Sequence, residues 1–160
     1  MTITKIKSDL PMRIGVGVIL LNNKNEVFVG KRRDNPSIHW QMPQGGVDGK
    51  ETLIDAAKRE LFEETGIKKV KIIKEIDKWL EYELPENLIG IIWKGKFRGQ
   101  RQKWFIARFL GQDNEVNLDK HNMEFIDWKW INFEELPKVI VKFKKNLYET
   151  LTLEIRKIVN

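Results

Sequence analysis

Apolar positions along this chain repeat with two different periods. Residues 13–21 and 26–31 are rich in β-branched and other apolar side chains with alternation, and Asn22, Asn23, Lys24 and Asn25 between them favour a turn, so the stretch predicts a β-hairpin. Further strands are predicted over 70–77, 88–93, 103–110 and 125–131. Trp128 and Trp130 alternate on the last of these, share one face, and read most simply as core. Helical spacing takes over at 52–65, where Thr52 and Asp55 stand at a capping-box-like spacing and Gly66 occupies the place of a left-handed terminator. A second helix is predicted after Pro137. Its apolar residues Ile140, Phe143, Leu147, Leu151, Ile155 and Ile158 recur at three- and four-residue steps, which puts one stripe on the sheet and turns Lys142, Lys144, Lys145 and Lys157 mostly outward. The sum is an α/β fold, a mixed β-sheet flanked by helices.

Composition bounds what such a fold can do. With 160 residues, 41% of them apolar, and no repeat or long Pro/Gly/Ser linker, the chain reads as one domain over 12–160 behind a loose N-terminal arm, 1–11. There is no cysteine, which excludes disulfides and thiolate metal sites and leaves oxygen ligands for any metal. The early apolar run 16–21 is far shorter than the ~20 residues a membrane helix needs, and no cleavage site follows the charged start, so a cytoplasmic protein without membrane association is expected. The net charge of +6 favours a polyanionic partner.

Candidate chemistry centres on the first helix. At about 100° per residue, Glu60 and Glu64 share a strip with Leu53 and Ala57, and Glu63 lies at its margin. Carboxylates crowded beside an apolar stripe repel one another and lose hydration, so they either take up protons or hold cations. A hard divalent ion answers both problems, because magnesium favours a few carboxylates completed by water and phosphate oxygens. The alternative is a solvated acidic face paired with Lys58 and Arg59. The preceding stretch 43–49, PQGGVDG, supplies glycines through which backbone can approach a ligand closely.

Together Gly45, Glu51, Arg59, Glu60, Leu61, Glu63, Glu64, Gly66 and Ile67 fit, without a gap, the pattern G-x5-E-x7-R-E-U-x-E-E-x-G-U, with U a bulky aliphatic residue; this resembles the Nudix box. The resemblance implies an α/β/α sandwich and hydrolysis of a nucleoside diphosphate linked to another group. It further implies that Glu60, Glu63 and Glu64 bind Mg2+, with Mn2+ or Zn2+ as substitutes, that Gly45 adds a carbonyl ligand, and that Glu51 and Arg59 form a supporting ion pair. Where many members have Pro-Gly-Glu this chain has Gly49-Lys50-Glu51, which brings an extra ammonium toward the phosphates and leaves the role of Lys50 open.

Outside the box, WQMPQGG at 40–46, Trp79 with Tyr82 and Leu84-Pro85, GQRQKWF at 99–105, EFIDWKW at 124–130 and Phe143-Lys144 are similar to the bacterial RNA pyrophosphohydrolase and dinucleoside polyphosphate hydrolase branch of the family. That likeness makes Glu124 a candidate further ligand or water-activating group, with a plain surface acid as the alternative. It also implies that Arg33, Tyr82, Phe143 and Lys144 line the nucleotide pocket; Gly46, Lys50 and Arg101 are further substrate-binding candidates. Residues 94–103 carry Lys94, Lys96, Arg98, Arg101 and Lys103 among Trp93, Phe97 and Trp104, a pattern that suits phosphates and base stacking. Its alternative is a solubilising loop beside a buried tryptophan. His39 and His121 lack ligand spacing and read as structural or exposed.

The expected reaction is attack of water on a phosphoryl group beside Glu60, Glu63, Glu64 and Glu124, with Glu63, Glu64 or Glu124 as base and Lys50 or Arg33 near the leaving pyrophosphate. The first-choice substrate is the 5′-triphosphate end of RNA and the runner-up a diadenosine tetra- or pentaphosphate. A non-catalytic nucleotide- or RNA-binding module and a purely structural interaction domain are the rival classes.

Overall fold

The sheet is organised around one strand that is covered on both faces. The computed structural model describes residues 9–34, 38–119 and 123–159; most of the expected arm, and His121, lie outside them. Strand β1 (Met12–Leu21) pairs parallel with β6 (Gly99–Phe109) and antiparallel with β2 (Glu26–Arg32), which in turn pairs with β7 (Phe125–Asn132). Strand β4 (Val70–Glu75) closes the other side of β6, giving the order β4-β6-β1-β2-β7, while β3 (Gln44–Gly46) adds to β1 and β5 (Leu80–Glu83) to β6.

Side chains along β1 point alternately to two cores. Val16, Val18 and Leu20 pack with Ala56, Ala57 and Leu61 of helix α1 (Leu53–Thr65). Ile19 and Leu21 pack with Leu147, Leu151 and Ile155 of helix α3 (Lys145–Val159). A strand buried on both faces reads as an unbroken apolar run, and 16–21 does so for this reason. Helices on both faces of a mixed sheet make the α/β/α sandwich the sequence led us to expect.

The helix α1 is delimited as its ends dictate. The Thr52 hydroxyl accepts from the Asp55 amide at 3.2 Å, and Gly66, at φ 76°, donates its amide to the Phe62 carbonyl.

Three expectations are corrected. The strand expected at 88–93 is a set of turns ending in a 3-10 segment, Ile92–Gly95, because the Leu88 and Ile89 amides turn back to the Pro85 carbonyl. Gly90, Trp93, Lys94 and Gly95 all take positive φ there. Strand β5, only four residues long and half charged, takes the expected strand's place beside β6. The helix after Pro137 is broken: α2 (Leu136–Val139) stops at Ile140, which is extended, and a 3-10 turn, Lys142–Lys144, precedes α3. Lys144, expected outside, is therefore buried. Leu10, placed in the loose arm, is buried as well, and the Pro11 carbonyl accepts from the Arg98 amide at 3.1 Å.

Candidate active site

Gly45 sits in β3 directly over α1. A Cβ on Gly45 would come within 2.0 Å of the Glu60 carboxyl carbon, so only glycine lets this backbone lie against that acid. Arg59, one residue before Glu60, organises the loop. Its guanidinium donates to Glu51 Oε1 at 2.7 Å and to the Gly46 carbonyl at 2.9 Å, which is the supporting ion pair expected of these two residues. It also reaches Glu60 Oε1 at 2.9 Å and Glu63 Oε2 at 3.1 Å.

One guanidinium does not neutralise this many carboxylates. Burial, partly offset by Arg59, pushes Glu60 up to about 7, with Glu63 and Glu124 adding repulsion. Glu64 is fully buried and is pushed well above the usual carboxylate range by burial first and by the adjoining Glu124 carboxyl second. Its Oε2 accepts from the Gln44 amide at 3.1 Å; its Oε1 has no hydrogen-bond donor. An orphaned, buried carboxylate oxygen amid three further acids fits an oxygen-ligated divalent cation. Among the described residues no three acids converge as a ready-made cage, since Arg59 draws Glu60 and Glu63 toward itself. Side-chain rotation and phosphate oxygens would have to complete a coordination sphere.

Glu60 and Glu124 face a cavity of about 670 Å³, whereas Glu64 is fully buried and Glu63 partly exposed, neither of them in its lining. Gly45, Gly46, Tyr82, Phe143 and Lys144 line it. Tyr82 and Phe143 lie with ring centroids 5.8 Å apart, and the Lys144 ammonium is 4.9 Å above the Tyr82 ring. Burial, aided by Arg32, pulls Lys144 down to about 7. Trp93 contributes to the wall with the Arg13 guanidinium 5.3 Å over its ring. Trp104 does not: it is wholly buried against Tyr148, so of the two readings of the 94–103 aromatics the core one holds for it.

Three substrate candidates fall outside the cavity. Arg33 is exposed, and Arg32 takes its place because a register shift at Lys31/Arg32 in the β2–β7 pairing turns that side chain inward. Arg101 lies on the outward phase of β6, its guanidinium 4.7 Å over Trp79, while neighbouring Gln100 and Gln102 point inward. Lys50 is exposed on the turn before α1 and does not reach the cavity. Sequence reasoning missed Arg13, Arg32, Trp40, Gln44 and Gln100, all of which line it. Two signals were available: Trp40 and Gln44 lie inside WQMPQGG, and Gln100 lies two residues from Gln102 on one strand phase. His39 also faces the cavity.

A mixed sheet between helices, with a glycine strand and a carboxylate-bearing helix at the mouth of a cationic cavity, defines a class. Residues 11–151 match the NUDIX domain, and the chain belongs to that family. At the level of particular proteins, it is 54% identical to the RNA pyrophosphohydrolase of Pelagibacter ubique (strain HTCC1062), over 96% of this chain and 98% of that one. It is 44% identical to the RNA pyrophosphohydrolase of Rickettsia prowazekii (strain Madrid E), over 94% of each. The fold is also that of the E. coli dihydroneopterin triphosphate pyrophosphohydrolase, with TM-score 0.70 at 20% identity over 91% of this chain and 99% of that one. A C. elegans Ap4A hydrolase shares it too, with TM-score 0.64 at 23% identity over 89% and 98%.

Proposed function

We propose that this chain is a magnesium-dependent pyrophosphohydrolase that removes pyrophosphate from the 5′-triphosphate end of RNA, leaves a 5′-monophosphate, and so promotes RNA decay in the cytoplasm. The observation that carries the reading is the composition of the cavity. Carboxylates gather around Gly45, and the same space offers Arg13, Arg32 and Lys144 for phosphate oxygens and Tyr82, Trp93 and Phe143 for a base. The near full-length likeness to proteins named RNA pyrophosphohydrolase supports the choice of RNA.

In this reading Glu60, Glu63 and Glu64, with the Gly45 carbonyl and Glu124, hold the divalent ions. Such ions, when bound, neutralise charge on the phosphoryl oxygens and acidify a bound water. The protein's own groups do the rest. Arg59 and Glu51 keep the glycine strand against α1, and the Gln44 amide orients Glu64. The Glu64–Glu124 pair receives the proton of the attacking water. Arg13, Arg32 and Lys144 steady the phosphates as pyrophosphate departs.

Product analysis tests this: short triphosphorylated RNA and diadenosine tetraphosphate, each with magnesium, are compared by rate and product. The reading expects RNA with a 5′-monophosphate and free pyrophosphate to form faster than the dinucleotide is cleaved. Faster hydrolysis of the dinucleotide would transfer the proposal to dinucleoside polyphosphates, and release from neither would return the chain to the nucleotide-binding modules.

A further inference from the structure

Beneath the cavity runs a branched chain of buried polar side chains that ends at the Tyr82 hydroxyl. The Trp104 indole nitrogen donates to Gln102 Oε1 at 3.0 Å. Gln102 Nε2 donates to Gln44 Oε1 at 2.7 Å and to Gln100 Oε1 at 3.0 Å. Gln100 Nε2 donates to the Tyr82 hydroxyl oxygen at 3.2 Å. Gln100, Gln102 and Trp104 have no exposed surface.

The fold makes room for this set at a cost in sequence. A Cβ on Gly15 would come within 2.3 Å of Gln100 Oε1, and one on Gly17 within 2.4 Å of the Trp104 indole. Buried amides of this kind contribute little net stability over apolar side chains of the same shape, while each unmatched group is expensive. What they do supply is direction.

That direction follows from one group. An indole N–H can only donate. Gln102 must therefore turn its oxygen to Trp104, which leaves its two N–H bonds for Gln44 and Gln100. Those two amides must present oxygens to Gln102, so Gln100, the one bonded to Tyr82, faces it with N–H. The Tyr82 oxygen then accepts from the network, and its own O–H proton finds no acceptor there. Tyr82 lines the cavity, with Lys144 over its ring and Arg13 and Arg32 near enough to act on it electrostatically.

We infer that the Trp104–Gln102–Gln44/Gln100 relay commits the Tyr82 hydroxyl to act as a hydrogen-bond donor into the cavity, where it binds an anionic phosphate oxygen of the substrate. Trp104 and Gln102 are positioning residues; neither touches the substrate. The three neighbouring cations select an anionic acceptor over a neutral one, and burial, which pushes Tyr82 up to about 12, keeps its proton in place at neutral pH. The polarity of the relay stands on the fold alone, and only the identity of the acceptor rests on the RNA-end reading.

Two experiments separate these parts. Neutron diffraction of the wild-type protein should place the Tyr82 deuteron pointing into the cavity, with a deuteron of Gln100 pointing at the Tyr82 oxygen and the oxygens of Gln44 and Gln100 facing Gln102. A Tyr82 deuteron directed at either amide overturns the inference, whatever the enzyme hydrolyses.

In kinetics, Tyr82→Phe removes the donor. Gln102→Glu keeps the shape and the acceptor for Trp104 but removes both donated bonds, so Gln44 and Gln100 turn their N–H groups inward and Tyr82 is recruited to Gln100. Each variant should raise KM for triphosphorylated RNA about tenfold with a smaller change in kcat, and the double variant should also lose about tenfold, not a hundredfold. An unchanged KM in Gln102→Glu, or full additivity, contradicts the relay. Should Gln102→Glu fail to fold, Gln102→Met releases the same two amides and is expected to shift KM in the same direction; no shift there contradicts the relay equally. If wild type releases no pyrophosphate from RNA, the RNA-end reading falls while the neutron result still decides the polarity.

Discussion

Glu64 is held in a state that water would not choose, wholly buried with one oxygen lacking a donor and a second carboxyl beside it. Removing its charge relieves that strain, so Glu64→Gln is expected to melt at or above the wild-type temperature while turnover falls by at least about a hundredfold. Parallel melting and rate measurements check this; near wild-type turnover under saturating magnesium would remove Glu64 from the chemistry. The pH response has a definite sign. Glu60, at about 7, lies above its unfolded value, so its ionisation costs stability progressively as pH rises from the ordinary carboxylate range through about 7. A divalent ion offsets that cost, and the rise in Tm on adding magnesium should therefore grow from pH 5.5 to 8. The same titration in Glu60→Gln should show a flatter rise. At this scale the sequence brings Gly45, Glu51, Arg59 and Glu60 together by local spacing, and they are neighbours in the fold. It was read wrongly where a role depends on strand phase across the sheet: Arg33 gave way to Arg32 through a register shift, and Arg101 to Gln100 through alternation.

Elements succeed or fail in this chain at their glycines and caps. Gly45→Ala drives a methyl into the Glu60 carboxyl and is expected to lower kcat more than it lowers Tm, because β3 has few contacts to lose but the acid must move. Gly17→Ala does the opposite. Its methyl meets the Trp104 indole in the core, and chemical denaturation should register a loss of about 1–3 kcal/mol. Equal effects of the two substitutions on stability would contradict this division between site and core. The helix α1 and the hairpin β1–β2 were legible because cap, terminator and turn chemistry all agree with the apolar period. The stretch 88–93 was not, since Leu88, Ile89, Ile92 and Trp93 pack inward from turns as well as they would from a strand, with Ile91 left exposed. The broken helix before α3 escaped for a related reason. Its stripe continues in period across Ile140, and only the tertiary tie from the Trp40 amide to the Val139 carbonyl marks the break.

For the molecule as a whole, the excess of 29 basic over 23 acidic side chains acts through a few placed groups. Arg13, Arg32 and Lys144 face the cavity, Arg32 while paired with Asp34, whereas Arg59 and Lys103 are engaged inside the fold. Arg13, Arg32 and the partly protonated Lys144, meeting phosphates on a single strand, should make log KM rise with log salt at a slope between about 1 and 2 near neutral pH. A slope near zero would mean that these cations do not meet phosphates. Family membership and the sandwich were accessible from a single uninterrupted motif, while the cavity that decides the substrate is assembled from β1, β2, β3, α1, β5, the turns at 84–93, β6, the start of β7 and the segment before α3, which no linear pattern joins. The most direct test of the central claim is the release of pyrophosphate from 5′-triphosphorylated RNA by wild type and by Glu64→Gln, side by side, with magnesium and with chelator. The account expects pyrophosphate and a 5′-monophosphate end from wild type with magnesium only; equal release by the variant, or undiminished release in chelator, would contradict it.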